Sequence, residues 1–243
     1  MMPGGHLTVC GATLQVLKSD LYDTELQMYK VSASLAKMST EIGRMVAFPP
    51  GWLENESIWL HMSYKYYLEL LRAGLYDQFF EEIKTGLVAF MDPKIMGRSP
   101  LECSSFIASS AHPDKTIHGQ GYLARLSGST AEFLSMWNEM MYGSEPFYVD
   151  EDGDLNLKLV PALPTWLFKD GRLSFMFIGA VNVTYYNPSY MHSWNNTLGV
   201  SKTVITSTAG ESITFGSAVI PAPYAKAVRD YEYPKVDMYF GES

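Results

Sequence analysis

Cysteine is nearly absent: Cys10 and Cys103 are the two in 243 residues. Neither sits in a CxxC pair, so the sequence offers no disulfide framework and fits a reducing cytoplasm. Charge is scarce too. Only 18% of residues are charged, with 18 Lys and Arg against 26 Asp and Glu, a net charge of −8. No basic run stands out, which argues against a polyanion such as nucleic acid as partner. No stretch approaches the ~20 apolar residues of a membrane span. The N-terminus, MMPGGHLTVCGATLQVLK, lacks a basic segment followed by a long apolar run. A soluble cytoplasmic protein is expected. P-loop, GxGxxG and GxSxG motifs are all missing, so nucleotide cofactors and serine-hydrolase chemistry lack support.

What the chain does have is apolar mass. Hydrophobic residues make up 47% and aromatics 14%. That supports a large core first. Aromatic faces are also the surfaces on which pyranose rings stack.

The hydrophobic period changes along the chain. Thr24-Glu25-Leu26-Gln27 reads as a capping box opening a helix to Met38. A second helix, 57–73, is apolar nearly all round and stops at Gly74. A third, 75–90, carries a single stripe of Leu75, Phe79, Phe80, Ile83 and Leu87. Residues 91–126 show no helical period but keep apolar anchors, which marks a long functional loop. A last helix is expected over 129–142, capped by Ser129-Thr130-Ala131-Glu132. Beyond 145 the period falls to two. Leu155, Leu157 and Leu159 alternate with Asn156, Lys158 and Val160, and Asp152-Gly153 and Asp170-Gly171 read as hairpin turns. LSFMFI, AVNVTYYN, TVITST and SITFGSAVI complete a strand-rich tail suggestive of a sandwich.

Few residues carry a chemical signal. In LSGSTAEF, Ser127 and Gly128 fall just before the expected helix start at Ser129. Free N–H groups and the positive helix end favour an anion there. Gly128 admits close backbone approach, and Ser127 adds a hydroxyl. The plainer reading is a simple capping turn. His61 lies on the apolar helix; it is either a core histidine or a donor to an oxyanion. His112 and His118, six apart, match no metal motif and read as loop hydrogen bonding rather than zinc. Asp150, Glu151, Asp152 and Asp154 lack the pattern of a calcium loop and read as a solvated hairpin tip.

Two segments resemble a known family. GWLENESIWLHMSYKY is similar to the Glu-Asn, five residues, His segment of cellobiose- and chitobiose-phosphorylase-type enzymes, glycoside hydrolase family 94. HGQGYLARLSGSTAEFLSMWNEMMYG resembles that family's Gly-rich approach to Thr-Gly and a helix. SSFIASSAHPD and VTYYNP look closer to the branch acting on β-1,2-linked glucans. The resemblance spans about residues 5–190, strongest over 51–168.

The resemblance implies an α+β fold: residues 1–143 as the C-terminal part of an (α/α)6 toroid, residues 144–243 as a small β-sandwich. It implies an inverting β-glucoside phosphorylase in which inorganic phosphate, the co-substrate, attacks the anomeric carbon to give α-glucose 1-phosphate. His61, Ser127 and Gly128 match the family's phosphate contacts, with Ser in place of Thr. Glu54 matches a carboxylate near the sugar. A family Gln that touches phosphate has no counterpart; Ser109 and Ser110 lie nearest. No metal or other cofactor is implied. Inverting glycosidases set a carboxylic acid against a base and water. Phosphate replaces base and water, so one acid remains necessary. The family's acid lies in an Asp-Trp-Asn-Asp-type segment, which these residues lack. The expected partners are therefore a β-linked glucooligosaccharide, phosphate, and an upstream barrel half or a homo-oligomer partner. The alternatives are a non-catalytic sugar- or phosphate-binding module, and an inverting hydrolase with Glu54 or Glu56 as base.

Overall fold

The computed structural model describes residues 19–100, 102, 105–123 and 126–242. The chain divides into two compact units, residues 1–136 and 137–243. The segment holding Cys10 and the position of Cys103 lie outside the described residues.

The N-terminal unit opens with β1 (Tyr22–Asp23) and β2 (Met28–Tyr29), paired antiparallel. The helix expected from Thr24 does not form. Asp23, buried, accepts from the N–H groups of Glu25 and Leu26 at 3.1 Å each, bending the chain into a turn. It also accepts from the Ser110 backbone N–H at 2.8 Å and hydroxyl at 2.7 Å. These long-range bonds override the local capping box, since a side-chain acceptor offers the backbone an alternative to the helix.

β3 (Ile58–Trp59) leads directly into α1 (Leu60–Arg72). α1 buries Leu60, Tyr64, Tyr67, Leu68, Leu70 and Leu71 but turns Met62, Lys65, Glu69 and Arg72 to solvent. It is one-sided, not enclosed all round. Gly74, at φ +73°, ends it, with the Leu75 N–H returning to the Leu70 carbonyl. α2 (Tyr76–Gly86) packs back with Phe79, Phe80 and Ile83 inward. Gly86 is required at that contact: a Cβ there would lie 2.0 Å from the Tyr67 hydroxyl oxygen.

The long loop is ordered by a short helix, α3 (Pro93–Met96), and by β4 (Phe106–Ile107) and β5 (Gly121–Leu123). These strands join β3 in a three-stranded sheet, order β3-β4-β5. α4 runs Ser127–Tyr142, two residues earlier than its sequence pattern suggests.

The C-terminal unit holds the strands of β6 (Phe147–Val149), β7 (Leu155–Lys158), β8 (Arg172–Phe177), β9 (Val181–Tyr186), β10 (Leu198–Thr206), β11 (Ser212–Phe215), β12 (Val219–Ile220) and β13 (Lys235–Glu242), with the short α5 (Tyr224–Arg229). Five form one sheet, ordered β11-β10-β13-β9-β8, and three another, ordered β12-β7-β6. The pair β13–β9 is parallel; its neighbours are antiparallel. Inward side chains such as Leu157, Phe177, Val183, Tyr185, Ile205, Val236 and Met238 share one core with Val228 of α5. The Tyr185 hydroxyl, fully buried, donates to the Met141 carbonyl at 2.7 Å. Asp152-Gly153 turns β6 into β7, and Asp170-Gly171, both at positive φ, closes the Lys169–Arg172 bridge.

The toroid-plus-sandwich architecture is thus corrected. Among the described residues there are four sheets and five helices, of which three have seven or more residues. Three such helices cannot build even part of a double-layered helical ring. The segments around them form strands and hydrogen-bonded turns instead. Among the described residues no helix is long and apolar enough to cross a membrane.

Candidate anion site

His61 lies 66 positions before Ser127 and 67 before Gly128, yet the N-terminal unit brings His61 and Gly128 together. His61 is the second residue of α1. Gly128 is the second residue of α4. A Cβ built on Gly128 would meet His61 Cβ at 3.3 Å and its ring at 3.8 Å. Glycine therefore lets the first turns of two helices touch. Helix starts leave N–H groups without intrahelical acceptors and concentrate positive partial charge. The Ser127 side chain, at the same turn, is exposed.

Ser105 ties the two starts together. It is fully buried just before the central strand β4, between β5 and the start of α1. Its carbonyl accepts from the Leu60 N–H at 2.9 Å. Its hydroxyl accepts from the Leu126 N–H at 2.7 Å and lies 3.1 Å from the Ser129 hydroxyl. Ser129 is therefore not the cap: it is buried inside the first turn, and its N–H returns to Leu126 at 3.0 Å. Nothing in the spacing of Ser105 marks this role, because the partners are distant helix starts.

The His61 ring has a definite electrostatic setting. The Trp59 ring meets it edge to face, 5.6 Å between centroids at 90°. His61 Nδ1 is buried and, among the described residues, has no hydrogen-bond partner. Burial lowers its pKa first, and the charge of Lys65 lowers it further. Both effects disfavour the charged form of the ring. Lys65, one turn along α1 and exposed, is a second group that sequence inspection passed over.

Glu54 sits apart from this contact. One carboxylate oxygen pairs with Arg44, and the other is buried with no hydrogen-bond partner among the described residues. Its link to His61 is indirect: the Leu53 carbonyl accepts from Trp59 Nε1 at 2.9 Å. Glu56 pairs with Lys30 at 3.2 Å. Ser109 and Ser110 serve the framework, donating to the Glu56 carbonyl and to Asp23. His118 is held between the His112 carbonyl at 2.8 Å and Glu25 at 3.0 Å; the carbonyl contact, then Glu25, keep its pKa up against burial. The acidic tip centres on Asp150, which accepts from the Asp152 and Asp154 N–H groups and from Asn156. Among the described residues no group of three or more His, Cys, Asp or Glu could hold a metal ion.

The chemistry gathered near this contact is that of hydrogen-bond donors. Helix-terminal N–H groups, a serine hydroxyl, an imidazole and a nearby ammonium are all donors. None is a carboxylic acid placed to protonate a leaving group. The chain matches no protein-family model and no curated protein.

Proposed function

We propose that this chain binds inorganic phosphate at His61, Ser127 and Gly128, and that it serves as the phosphate side of an inverting β-glucoside phosphorylase. The observation that carries the reading is the contact between His61 and Gly128 at two helix starts. It agrees with the residues assigned by the resemblance to cellobiose-phosphorylase-type enzymes. Phosphate is already a nucleophile. The protein's task is to hold it beneath an anomeric carbon and keep water away, which fixed donors accomplish without reorganisation. Protonation of the leaving oxygen needs an acid that the His61 cluster does not contain. The reading therefore assigns to these residues binding without turnover by themselves. Glu54 and Glu56 are both engaged in ion pairs, which gives the hydrolase alternative less support.

The experiment is calorimetry with inorganic phosphate, with chloride and sulfate as comparisons. Wild type should bind phosphate saturably, and His61→Ala should weaken it by about tenfold or more, the loss of one charge-assisted contact. Wild-type protein that takes up no phosphate would sink the reading.

A further inference from the structure

Within the N-terminal unit, His118 joins the turn between β1 and β2 to the connection between β4 and β5. It follows the single 3-10 turn Lys115–Ile117, and its side chain is only 7% exposed. Both ring nitrogens face oxygen acceptors. Nε2 lies 2.8 Å from the His112 carbonyl, and Nδ1 lies 3.0 Å from the Glu25 carboxylate. A neutral imidazole has one N–H and one lone pair, so it can serve one of these oxygens and must turn a lone pair on the other. Set between a carbonyl and a carboxylate, the ring is satisfied as the imidazolium, which donates from both nitrogens.

The two segments joined in this way are walls of one cavity. Glu25 and Leu26 from the β1–β2 turn, Gly119 from the connection and Ile95 from α3 line a space of about 350 Å³. Gly119 has φ +80°, and a Cβ on it would lie 3.0 Å from the Ile95 side chain and 3.5 Å from that of Leu26. The walls therefore close on each other directly beside His118. A second tie, from Ser110 to buried Asp23, lies near the start of the connection. The charges set around the ring are mostly acidic. Glu25 and Asp23 lie on the turn, and Asp114 lies in the connection itself. Lys84 and Asp92 line the same cavity. The His112 carbonyl, and after it Glu25, hold the His118 pKa above the ordinary histidine value against the opposing effect of burial.

We propose that His118, as the imidazolium, is a clasp that holds the β4–β5 connection against the β1–β2 turn and closes the cavity between them, and that loss of its proton releases the connection. The sign follows from linkage. A histidine that binds its proton more tightly in the closed form than in the open one stabilises closure fully below the ordinary value. That stabilisation is lost as pH rises from the ordinary value through the raised one. The clasp does not depend on the phosphate reading.

The test is an NMR titration of the His118 ring together with hydrogen exchange, on the full chain in phosphate-free buffer. The Gly119 N–H, bonded to the Ala108 carbonyl, and the Ala108 N–H, bonded to the Gln120 carbonyl, report closure of the connection. In wild type the ring midpoint should lie above the ordinary histidine value. Glu25→Gln keeps an oxygen acceptor and removes the charge, so the midpoint should fall; Glu25 is exposed, and the variant should fold as wild type does. Protection of both amides, corrected for intrinsic exchange, should decline across the same pH window. The decline should be about tenfold for each pH unit by which the wild-type midpoint exceeds the ordinary value. In His118→Gln protection should stay flat there. A wild-type midpoint at or below the ordinary value, or one that Glu25→Gln leaves unmoved, would overturn the clasp. So would protection that stays constant in wild type, or that declines equally in His118→Gln.

Discussion

A half-buried histidine and a buried glutamate stand out at the scale of single residues, and their pKa values shift in opposite directions. His61 is pushed down by burial and Lys65. Glu82 is pushed up by burial, against hydrogen bonds from Gln78, Tyr29 and Tyr66 that pull it back. Tyr29 donates to it at 2.8 Å and Tyr66 at 3.3 Å. A carboxyl raised in the folded state binds its proton more readily than in the unfolded chain. Stability is then fully present at acid pH and declines as pH rises through the gap between the ordinary and raised values. Glu82→Gln removes that decline. Its melting temperature should exceed that of wild type at about pH 7, and the difference should shrink toward about pH 4. A gap that widens on acidification contradicts the assignment. At this scale the sequence was partly legible. His61, Ser127 and Gly128 carry local cues: an imidazole on an apolar helix, a glycine and hydroxyl at a helix start. Ser105 carries none, because its carbonyl and hydroxyl act on residues 45 and 21 positions away.

Between elements, the decisive contact is α1 against α2. Tyr67 lies fully buried with its hydroxyl over Gly86, and that oxygen lacks a partner among the described residues. Gly86→Ala forces the ring to move and should cost about 1–3 kcal/mol in chemical denaturation. Tyr67→Phe removes an unsatisfied polar atom and should be close to neutral. The pair should be partly non-additive, since Phe removes the oxygen 2.0 Å from the new Cβ but keeps the ring carbons at 2.5 and 2.7 Å. Strictly additive losses would show that the contact is not the cause. Elements with strong periodicity were readable here. The stripe of Phe79, Phe80 and Ile83 is buried as its spacing requires, and the alternation around Leu157 marks β7. Capping boxes misled twice, at Thr24 and at Ser129. At Thr24 the neighbouring Asp23 carboxylate, itself held by Ser110, takes the N–H groups of Glu25 and Leu26; at Ser129 the distant Ser105 hydroxyl takes the Leu126 N–H and engages the Ser129 hydroxyl.

The whole molecule consists of two compact units, and the helix starts that meet at Gly128 belong to the first. The global architecture was the least legible feature. Alternating helical patterns suggested a ring of helices, but short strands such as β3, β4 and β5 are two or three residues long and have too few positions to show a period of their own. They are specified by pairing across the long loop, which a linear pattern does not display.

The central claim is that an anion sits where His61 meets Gly128. The most direct measurement is an NMR pH titration of the His61 ring, with and without saturating inorganic phosphate. In the free protein the imidazole should titrate below the ordinary histidine value, as burial and Lys65 dictate. With phosphate bound, the negative charge should favour the imidazolium and move the midpoint upward. A His61 midpoint that phosphate leaves unmoved would contradict the account.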